Sequence, residues 1–191
     1  MKNLNQLLLN FQHKDSFRYE DYYVSKSNFY AFNLIDTWPK WEKNFLNLCG
    51  EKYSGKSHLT NIFKKKNKAL KIKANSLNNL QFKEIKIYEN IVLDNLDKDV
   101  DENLLYSLFN IVDQDNKFLI INSIKPVNEI DFKLKDLRSR CKNCLIAKID
   151  NPDDDLIFAL ILKNFSDRQI IIDKKLIDFI VKRIERSYRK I

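Results

Sequence analysis

The sequence lacks a long apolar run. No stretch approaches the roughly 18 consecutive apolar residues that a transmembrane helix needs, so we expect no membrane-spanning segment. The apolar run near the N-terminus, residues 7–9, is also too short for the core of a signal peptide. We therefore expect a cytosolic protein that has no membrane partner.

Cysteine is scarce, and its spacing argues against a metal site. The chain has three cysteines, of which Cys141 and Cys144 form a single C-x-x-C pair. A zinc site would need two further ligands nearby, whereas the two histidines, His13 and His58, are far away in the sequence. A redox pair of the thioredoxin type would follow the first strand of its fold, and this pair does not. We therefore expect reduced cytosolic thiols.

Arginine is scarce although the chain is basic. The formal net charge is +8 at pH 7, which is typical of proteins that bind nucleic acid. Lysine, however, outnumbers arginine 27 to 7, and the readout of base edges relies heavily on arginine. A chain with only two glycines and abundant lysine, asparagine and isoleucine is also typical of AT-rich coding. We therefore give the positive charge little weight as evidence for DNA binding.

Six lysines lie close together between residues 64 and 73. Two interpretations are open, namely a DNA-binding patch and a solvated helix end whose last turn complements the helix dipole. We favour the solvated helix end. The cluster consists of Lys64, Lys65, Lys66, Lys68, Lys71 and Lys73.

Both glycines of the chain lie in one stretch, residues 50–57. It reads GEKYSGKS and fits the phosphate-loop pattern G-x-x-x-x-G-K-[ST] at every fixed position. The alternating residues 44–49 before it predict a short strand, and apolar residues at helical spacing predict a helix after it. In that setting backbone N–H groups face an anion, while Lys56 adds a positive charge and Ser57 a hydroxyl for Mg²⁺.

An alternation of strands and helices follows the loop. The pattern predicts a doubly wound α/β fold with a parallel sheet, and only helices after residue 151. Predicted strands are 69–74, 91–94, 117–123 and 145–149. Predicted helices include 104–112, 134–140, 156–165 and 176–184.

The predicted strand at residues 91–94 ends in an acid. Such a strand delivers Asp94 to the carboxyl edge of the sheet, where an aspartate helps to hold Mg²⁺ in phosphate-loop enzymes. The next residue is Asn95, which cannot accept a proton from water as a carboxylate can. We therefore expect slow ATP hydrolysis or none.

Aromatic residues are dense between residues 16 and 41. They either wall an adenine pocket or form core, and the sequence favours neither interpretation. A helix is expected from Phe29 to Asp36, with its N-cap at Ser25 or Ser27 and its end before Pro39.

The N-terminal residues contain a short motif of alternating chemistry. Gln6 is followed by apolar residues at offsets one and three, Leu7 and Leu9, and by an aromatic at offset five, Phe11. An extended segment of this kind docks its amide and apolar side chains into pockets of a partner. The alternative is a short element that packs on its own domain.

These motifs, taken in order, resemble the DnaA/Hda family of AAA+ bacterial replication initiators. Within that family, they are most similar to the Hda-like regulators of alphaproteobacteria, and the resemblance covers nearly the whole chain. It rests on Gln6–Phe11, Val24-Ser25-x-x-Asn28 with Trp38-Pro39, the phosphate loop with His58-Leu59, Ile91–Asp94, Leu137-x-Ser139-Arg140, Pro152-Asp153-Asp154 and Glu185-Arg186-Ser187.

The resemblance implies an architecture and two partners. The fold would be an AAA+ phosphate-loop domain, α/β in three layers, at residues 16–150. A clamp-binding segment would precede it at residues 1–15, and a truncated helical lid would follow at 151–191. The partners would be the initiator DnaA and the DNA polymerase sliding clamp, bound through Gln6, Leu7, Leu9 and Phe11. In this family the clamp-bound regulator promotes ATP hydrolysis by DnaA and prevents re-initiation.

The resemblance also implies roles for individual residues. Arg140 would be an arginine finger that acts on the nucleotide of DnaA. Asn122 or Ser123 would sit at the sensor 1 position, and Arg186 would be the sensor 2 arginine. ADP or ATP with Mg²⁺ would be bound by Gly50, Ser54, Gly55, Lys56, Ser57, His58, Asp94 and Arg186, with Ser57 and Asp94 on the metal.

Three departures from the family pattern bear on the mechanism. Tyr53 replaces the usual middle glycine of the loop, and it strains the backbone if the position requires a positive φ. Asn95 replaces an acid, and the chain ends soon after Arg186. We therefore expect weak or absent hydrolysis. The alternatives are an ATP-hydrolysing initiator- or helicase-loader-like factor and a degenerate scaffold that binds no nucleotide.

Overall fold

A computed structural model describes residues 19–97 and 99–191 of the chain. The predicted clamp-binding residues Gln6, Leu7, Leu9 and Phe11 lie outside the described residues, as does all of segment 1–15. Among the described residues, no helix has both the length and the apolar character that crossing a membrane would require.

A five-stranded parallel sheet forms the centre of the molecule, which confirms the predicted α/β fold. Its strands lie in the order β2-β3-β4-β1-β5. The third strand continues two residues beyond Asp94, where the sequence predicted its end, and its pairing with β4 shifts register between Leu93 and Leu96. The strands are β1 Phe45–Gly50, β2 Leu70–Lys73, β3 Asn90–Leu96, β4 Phe118–Ser123 and β5 Leu145–Ile149.

Seven α-helices accompany the sheet within the described ranges. They are α1 Phe29–Asp36, α2 Lys56–Asn67, α3 Gln81–Ile85, α4 Glu102–Gln114, α5 Lys135–Lys142, α6 Asp154–Asp167 and α7 Lys174–Val181. The predicted N-cap of α1 at Ser25 or Ser27 is wrong. The cap position is Asn28, whose Oδ1 accepts a hydrogen bond from Ser25 N at 2.8 Å and so closes a turn before the helix.

Both faces of the sheet are buried. Successive strand residues point to opposite faces, so Leu93 packs with α4 on one side while Val92 packs with α2 on the other. Phe109 of α4 stacks on Phe45 with ring centroids 5.0 Å apart. Coverage on both faces explains why the strand sequences are nearly continuous apolar runs.

The two C-terminal helices share a small apolar cluster of their own. It contains Ile157 and Ile161 from α6 and Ile177 and Val181 from α7. The predicted extension of α7 to Ile184 is wrong. The helix ends at Val181, and the Ile180 carbonyl then accepts hydrogen bonds from both Arg183 N and Ile184 N at 2.9 Å, which closes a tight turn.

Candidate functional site

A cavity of about 670 Å³ opens at the carboxyl ends of the strands. This is the edge where open α/β sheets bind their ligands. The predicted phosphate loop forms one wall. The other walls come from the ends of β3 and β4, from Tyr22 and Tyr23, and from α6. The lining residues are Asp21, Tyr22, Tyr23, Asn28, Lys52, Tyr53, Ser54, Gly55, Lys56, Ser57, His58, Asn95, Leu96, Asp97, Asn122, Ser123, Ile124, Leu156, Leu160 and Tyr188.

The two glycines of the loop are required by its conformation. Gly50 has φ +153° and Gly55 has φ +89°, values that side-chain-bearing residues rarely adopt. A Cβ at Gly50 would lie 2.7 Å from the carbonyl oxygen of Ile149, and a Cβ at Gly55 would lie 3.1 Å from the Tyr22 ring. Both positions of the sequence motif therefore have a steric reason in the fold.

The side chain of Lys56 folds back over the loop that precedes it. Its Nζ donates hydrogen bonds to the carbonyl oxygens of Gly50, at 2.8 Å, and Glu51, at 2.6 Å. A third contact joins it to Ser54 Oγ at 3.2 Å. Burial lowers the pKa of Lys56 from its usual value. The ammonium group therefore lies among neutral oxygens at the start of α2, the end of a helix at which free backbone N–H groups favour the binding of an anion.

The middle of the loop is strained at Tyr53. Its φ is +69°, in the left-handed region, and the residue is 75% exposed. The sequence predicted strain at Tyr53 if this position requires a positive φ. The backbone does have a positive φ here, so the condition is met.

Replacing Tyr53 by glycine is expected to stabilise the protein by about 1 kcal/mol, because glycine adopts this φ without strain and the exposed ring loses few contacts. Urea unfolding followed by circular dichroism measures the change. The matched control is Lys52→Gly, one residue earlier and outside the positive-φ set, which should be destabilising. A Tyr53→Gly variant less stable than the parent chain would contradict the strain argument.

Asp94 is held by two neighbours and does not line the cavity. Lys71 Nζ lies 2.9 Å from its Oδ2, and Asn122 Nδ2 donates a hydrogen bond to its Oδ1 at 2.8 Å. Burial would raise the pKa of Asp94, but the hydrogen bonds from Asn122 and Lys71 and the charge of Lys71 outweigh it. The pKa of this carboxyl is therefore below its usual value, and the group is ionised.

One of the two predicted magnesium ligands, Asp94, is already engaged by other side chains. Ser57 lines the cavity, whereas Asp94 does not, and both oxygens of Asp94 are already engaged. No group of three or more His, Cys, Asp or Glu side chains suited to a metal occurs within residues 19–97 and 99–191. The residues present therefore do not fit a magnesium ion held between Ser57 and Asp94.

Lys71 also corrects the interpretation of the lysine cluster. Five of the six lysines are exposed, as expected for a solvated helix end. The side chain of Lys71 is only 18% exposed, because it points from β2 toward Asp94 and α2. Periodicity could not separate it from its neighbours, since they all carry the same charge.

Asn95 lines the cavity in an unusual backbone conformation. Its φ is +58°, which asparagine tolerates better than most residues, and it lies within the register shift of β3. This turn of the chain also brings Asp97 to the cavity wall. Sequence reasoning missed Asp97 because it expected the strand to end at Asp94.

Both candidates for the sensor 1 position line the cavity, but they differ in their partners. The Ser123 hydroxyl accepts from Asn47 Nδ2 at 2.8 Å and donates to the Lys125 carbonyl at 2.6 Å, so it fixes the end of β4. Asn122 uses its amide nitrogen on Asp94, and its Oδ1 is buried without a partner among the described residues. Asn122 therefore contacts Asp94 on one side and lines the cavity on the other.

The aromatic segment is divided between the cavity wall and the core. Tyr22 and Tyr23 line the cavity, and the Tyr22 ring meets the His58 ring edge-on with centroids 5.3 Å apart. Burial raises the pKa of Tyr22. Trp38 and Trp41 instead pack in the core against Phe63 of α2.

Arg140 lies away from the cavity, on α5. Its Nη1 is 2.5 Å from Asp113 Oδ2, and its Nη2 donates a hydrogen bond to Asn110 Oδ1 at 3.0 Å, both on α4. The side chain remains 35% exposed. Helix α4 therefore orients a guanidinium group that still faces solvent.

Arg186 does not line the cavity either, and it pairs with Asp154 at 2.6 Å. The segment that follows it does reach the loop. Glu51 accepts hydrogen bonds from Ser187 Oγ at 2.6 Å and from Tyr188 N at 3.1 Å. Tyr188 thereby closes one side of the cavity. No sequence signal marked this contact, because it joins residues 136 and 137 positions apart.

The C-x-x-C pair is buried in the core. Cys141 and Cys144 are free thiols, and burial raises the pKa of each to about 12. At neutral pH both are protonated, and a protonated thiol is neither a metal ligand nor a nucleophile. Their environment agrees with the expectation of reduced, inert cysteines.

Comparison with known sequences leads to the replication initiators. No protein-family model matches the chain. DnaA of Helicobacter hepaticus is 26% identical over 215 aligned residues, which cover 99% of this chain and 46% of that protein. DnaA of Corynebacterium aurimucosum is 28% identical over 94 residues, which cover 49% of this chain and 17% of that protein. The chain thus spans less than half the length of these relatives.

Solved structures of initiators share the fold. A DNA replication initiation factor superposes with a TM-score of 0.75 at 16% identity, covering 89% of this chain and 60% of that one. AMPPCP-bound DnaA from Aquifex aeolicus gives 0.72 at 16% identity, covering 87% and 60%. Domain III of DnaA from Thermotoga maritima gives 0.73 at 19% identity, covering 91% and 83%. In sequence the chain is therefore similar to DnaA, and its described part shares the fold of domain III of DnaA.

Proposed function

We propose that this chain is an Hda-like regulator of replication initiation. It docks on ATP-bound DnaA, places Arg140 against the nucleotide of DnaA and promotes its hydrolysis. The N-terminal motif Gln6–Phe11 tethers it to the sliding clamp, so contact with DNA is made through the clamp. The cavity of the chain itself holds ADP or ATP as a bound ligand rather than as a substrate.

The geometry of Arg140 is the observation that carries this proposal. An arginine that acts on a neighbour's nucleotide must lie outside its own nucleotide site, and Arg140 does not line the cavity. It must also hold its orientation before docking, which the contacts with Asp113 and Asn110 provide. Because the pair is partly exposed, the guanidinium can leave Asp113 for a phosphate at little cost.

The chain's own cavity supports regulation over hydrolysis. Asn95 has an amide where a general base would be useful, and Asp94 is engaged by Lys71 and Asn122. The phosphate loop, in contrast, has the glycine conformations and the lysine that anion binding requires. Such a site is suited to retaining a nucleotide, and relatives of the same fold hold AMPPCP.

Reconstitution with DnaA tests the proposal. DnaA loaded with radiolabelled ATP, sliding clamp loaded on DNA, and the purified chain are combined, and conversion of bound ATP to ADP is followed with time. We expect the chain to accelerate conversion only when the clamp is present, because the tether raises its effective concentration near DnaA. The chain incubated with ATP but without DnaA is the control.

Two outcomes would contradict the proposal. If DnaA-bound ATP were converted to ADP at the same rate with and without the chain, the proposed regulatory role would be wrong. Rapid ATP turnover by the chain alone, lost in Lys56→Ala, would instead favour the alternative of an ATP-hydrolysing replication factor.

A further inference from the structure

We infer that the ammonium group of Lys71 takes the place of a divalent cation beside Asp94, so that this chain binds nucleotide without Mg²⁺. The inference rests on the proposed nucleotide site and concerns its metal requirement. It follows from the disagreement between the magnesium site expected of the fold and the contacts that Asp94 makes.

Lys71 has the surroundings of a bound cation. It extends from β2 to Asp94 on the neighbouring strand β3, and its Nζ lies 2.9 Å from Asp94 Oδ2. On the side of α2 it donates to Asn61 Oδ1 at 3.0 Å and approaches Thr60 Oγ1 at 3.5 Å. A carboxylate, an amide oxygen and a hydroxyl are the ligands that Mg²⁺ and Ca²⁺ themselves prefer.

The second oxygen of Asp94 is engaged as well. Asn122 Nδ2 donates to Asp94 Oδ1 at 2.8 Å and also to Thr60 Oγ1 at 3.2 Å. The network therefore joins β2, β3, β4 and α2 around one carboxylate. Such a connected set of buried polar groups resists rearrangement, because moving one member leaves the others without partners.

Electrostatics disfavours a metal ion in addition to Lys71. The side chains of Lys71 and Asp94 are 18% and 10% exposed, so solvent screens their charges only in part. A divalent ion that approached Asp94 would be repelled by the ammonium group or would have to displace it. Direct coordination by Asp94 would cost free energy twice, because Mg²⁺ gives up its water reluctantly and Asp94 would lose its contact with Lys71.

The phosphates of a nucleotide would still meet positive charge. Lys56 and the N-terminus of α2 face the phosphate loop, and Lys52 lines the same cavity. Neutralisation of the phosphates is therefore divided between these groups and does not depend on a metal at Asp94.

The test is ADP binding measured by calorimetry in buffer with Mg²⁺ and in buffer with EDTA. For the parent chain we expect the two dissociation constants to agree within about twofold, a difference of only some tenths of a kcal/mol. The Lys71→Met substitution frees Asp94 for the metal. The affinity of this variant for ADP should therefore be about tenfold weaker in EDTA than in Mg²⁺. Lys71→Arg keeps the positive charge and should behave like the parent chain. Lys73→Gln, an exposed lysine on the same strand, is the matched control and should also show no dependence on Mg²⁺.

The outcomes separate the two proposals. Binding by the parent chain that requires Mg²⁺ would overturn this inference and leave the nucleotide site intact. An absence of ADP binding in both buffers would overturn the nucleotide site and this inference with it. If Lys71→Met does not fold, as judged by thermal unfolding, the ratio measured for the parent chain decides the question alone.

Discussion

Arg140→Ala is expected to remove nearly all acceleration of ATP hydrolysis by DnaA, on the order of 10³-fold, because arginine fingers contribute about that much to nucleotide hydrolysis. The guanidinium group neutralises charge that develops on the phosphate in the transition state, and alanine leaves that charge uncompensated. The reconstituted reaction measures the effect. The fold should survive, because the partly exposed pair with Asp113 contributes only about 0.2–1 kcal/mol to stability.

Two further variants distinguish the chemistry of Arg140 from its structural contacts. Arg138→Ala removes an exposed arginine from the same helix and should leave the acceleration unchanged. Asp113→Ala breaks the ion pair but keeps the guanidinium group and its bond to Asn110, so most of the acceleration should remain. Equal loss in Arg140→Ala and Asp113→Ala would assign Arg140 a role in holding α5 on α4. If Arg140→Ala accelerated hydrolysis as much as the parent chain, the assignment of Arg140 as an arginine finger would be wrong.

Lys56→Ala is expected to weaken ADP binding about 100-fold, which corresponds to about 2.7 kcal/mol. The ammonium group contacts the carbonyl oxygens of Gly50 and Glu51, and it can exchange these neutral partners for charged phosphate oxygens. Calorimetry with ADP measures the loss. Because burial already lowers the pKa of Lys56, gaining a phosphate partner should raise that pKa again, and binding should weaken as the pH rises through it.

Lys64→Ala is the matched control for this variant. Lys64 is exposed and lies on the same helix as Lys56, so its removal changes the net charge equally without touching the cavity. Equal weakening in both variants would indicate a long-range charge effect. Unchanged binding in Lys56→Ala would mean that the loop does not receive the phosphates.

The central part of the fold could be predicted from sequence because its signals are local. Strands such as Phe118–Ser123 are short apolar runs, and helices such as Glu102–Gln114 carry apolar residues at helical spacing. The loop motif likewise fixes which residues need a positive φ, and Gly50 and Gly55 meet that requirement. Element ends were predicted less well, since β3 continues past Asp94 through a register shift.

The site was predicted only in part because its decisive contacts join distant residues. Lys71 looked like one of six solvated lysines, and only the pairing of β2 with β3 brings it to Asp94. The hydrogen bonds of Glu51 with Ser187 and Tyr188 close the cavity from the far end of the chain. Nothing in the spacing of these residues marks either contact.

The sequence by itself determined the parallel α/β architecture, the position of the phosphate loop and the absence of an acid at Asn95. These properties depend on residue type and on the spacing of apolar residues, with a period of two in strands and 3.6 in helices. Both can be recognised within a short stretch of sequence. The tertiary structure alone decided that Asp94 is paired with Lys71, that Arg140 faces solvent from α5 and that Tyr188 closes the cavity. Charge pairing and burial depend on which elements become neighbours. The order of the strands in the sheet determines these neighbours, and that order exists only once the whole chain has folded.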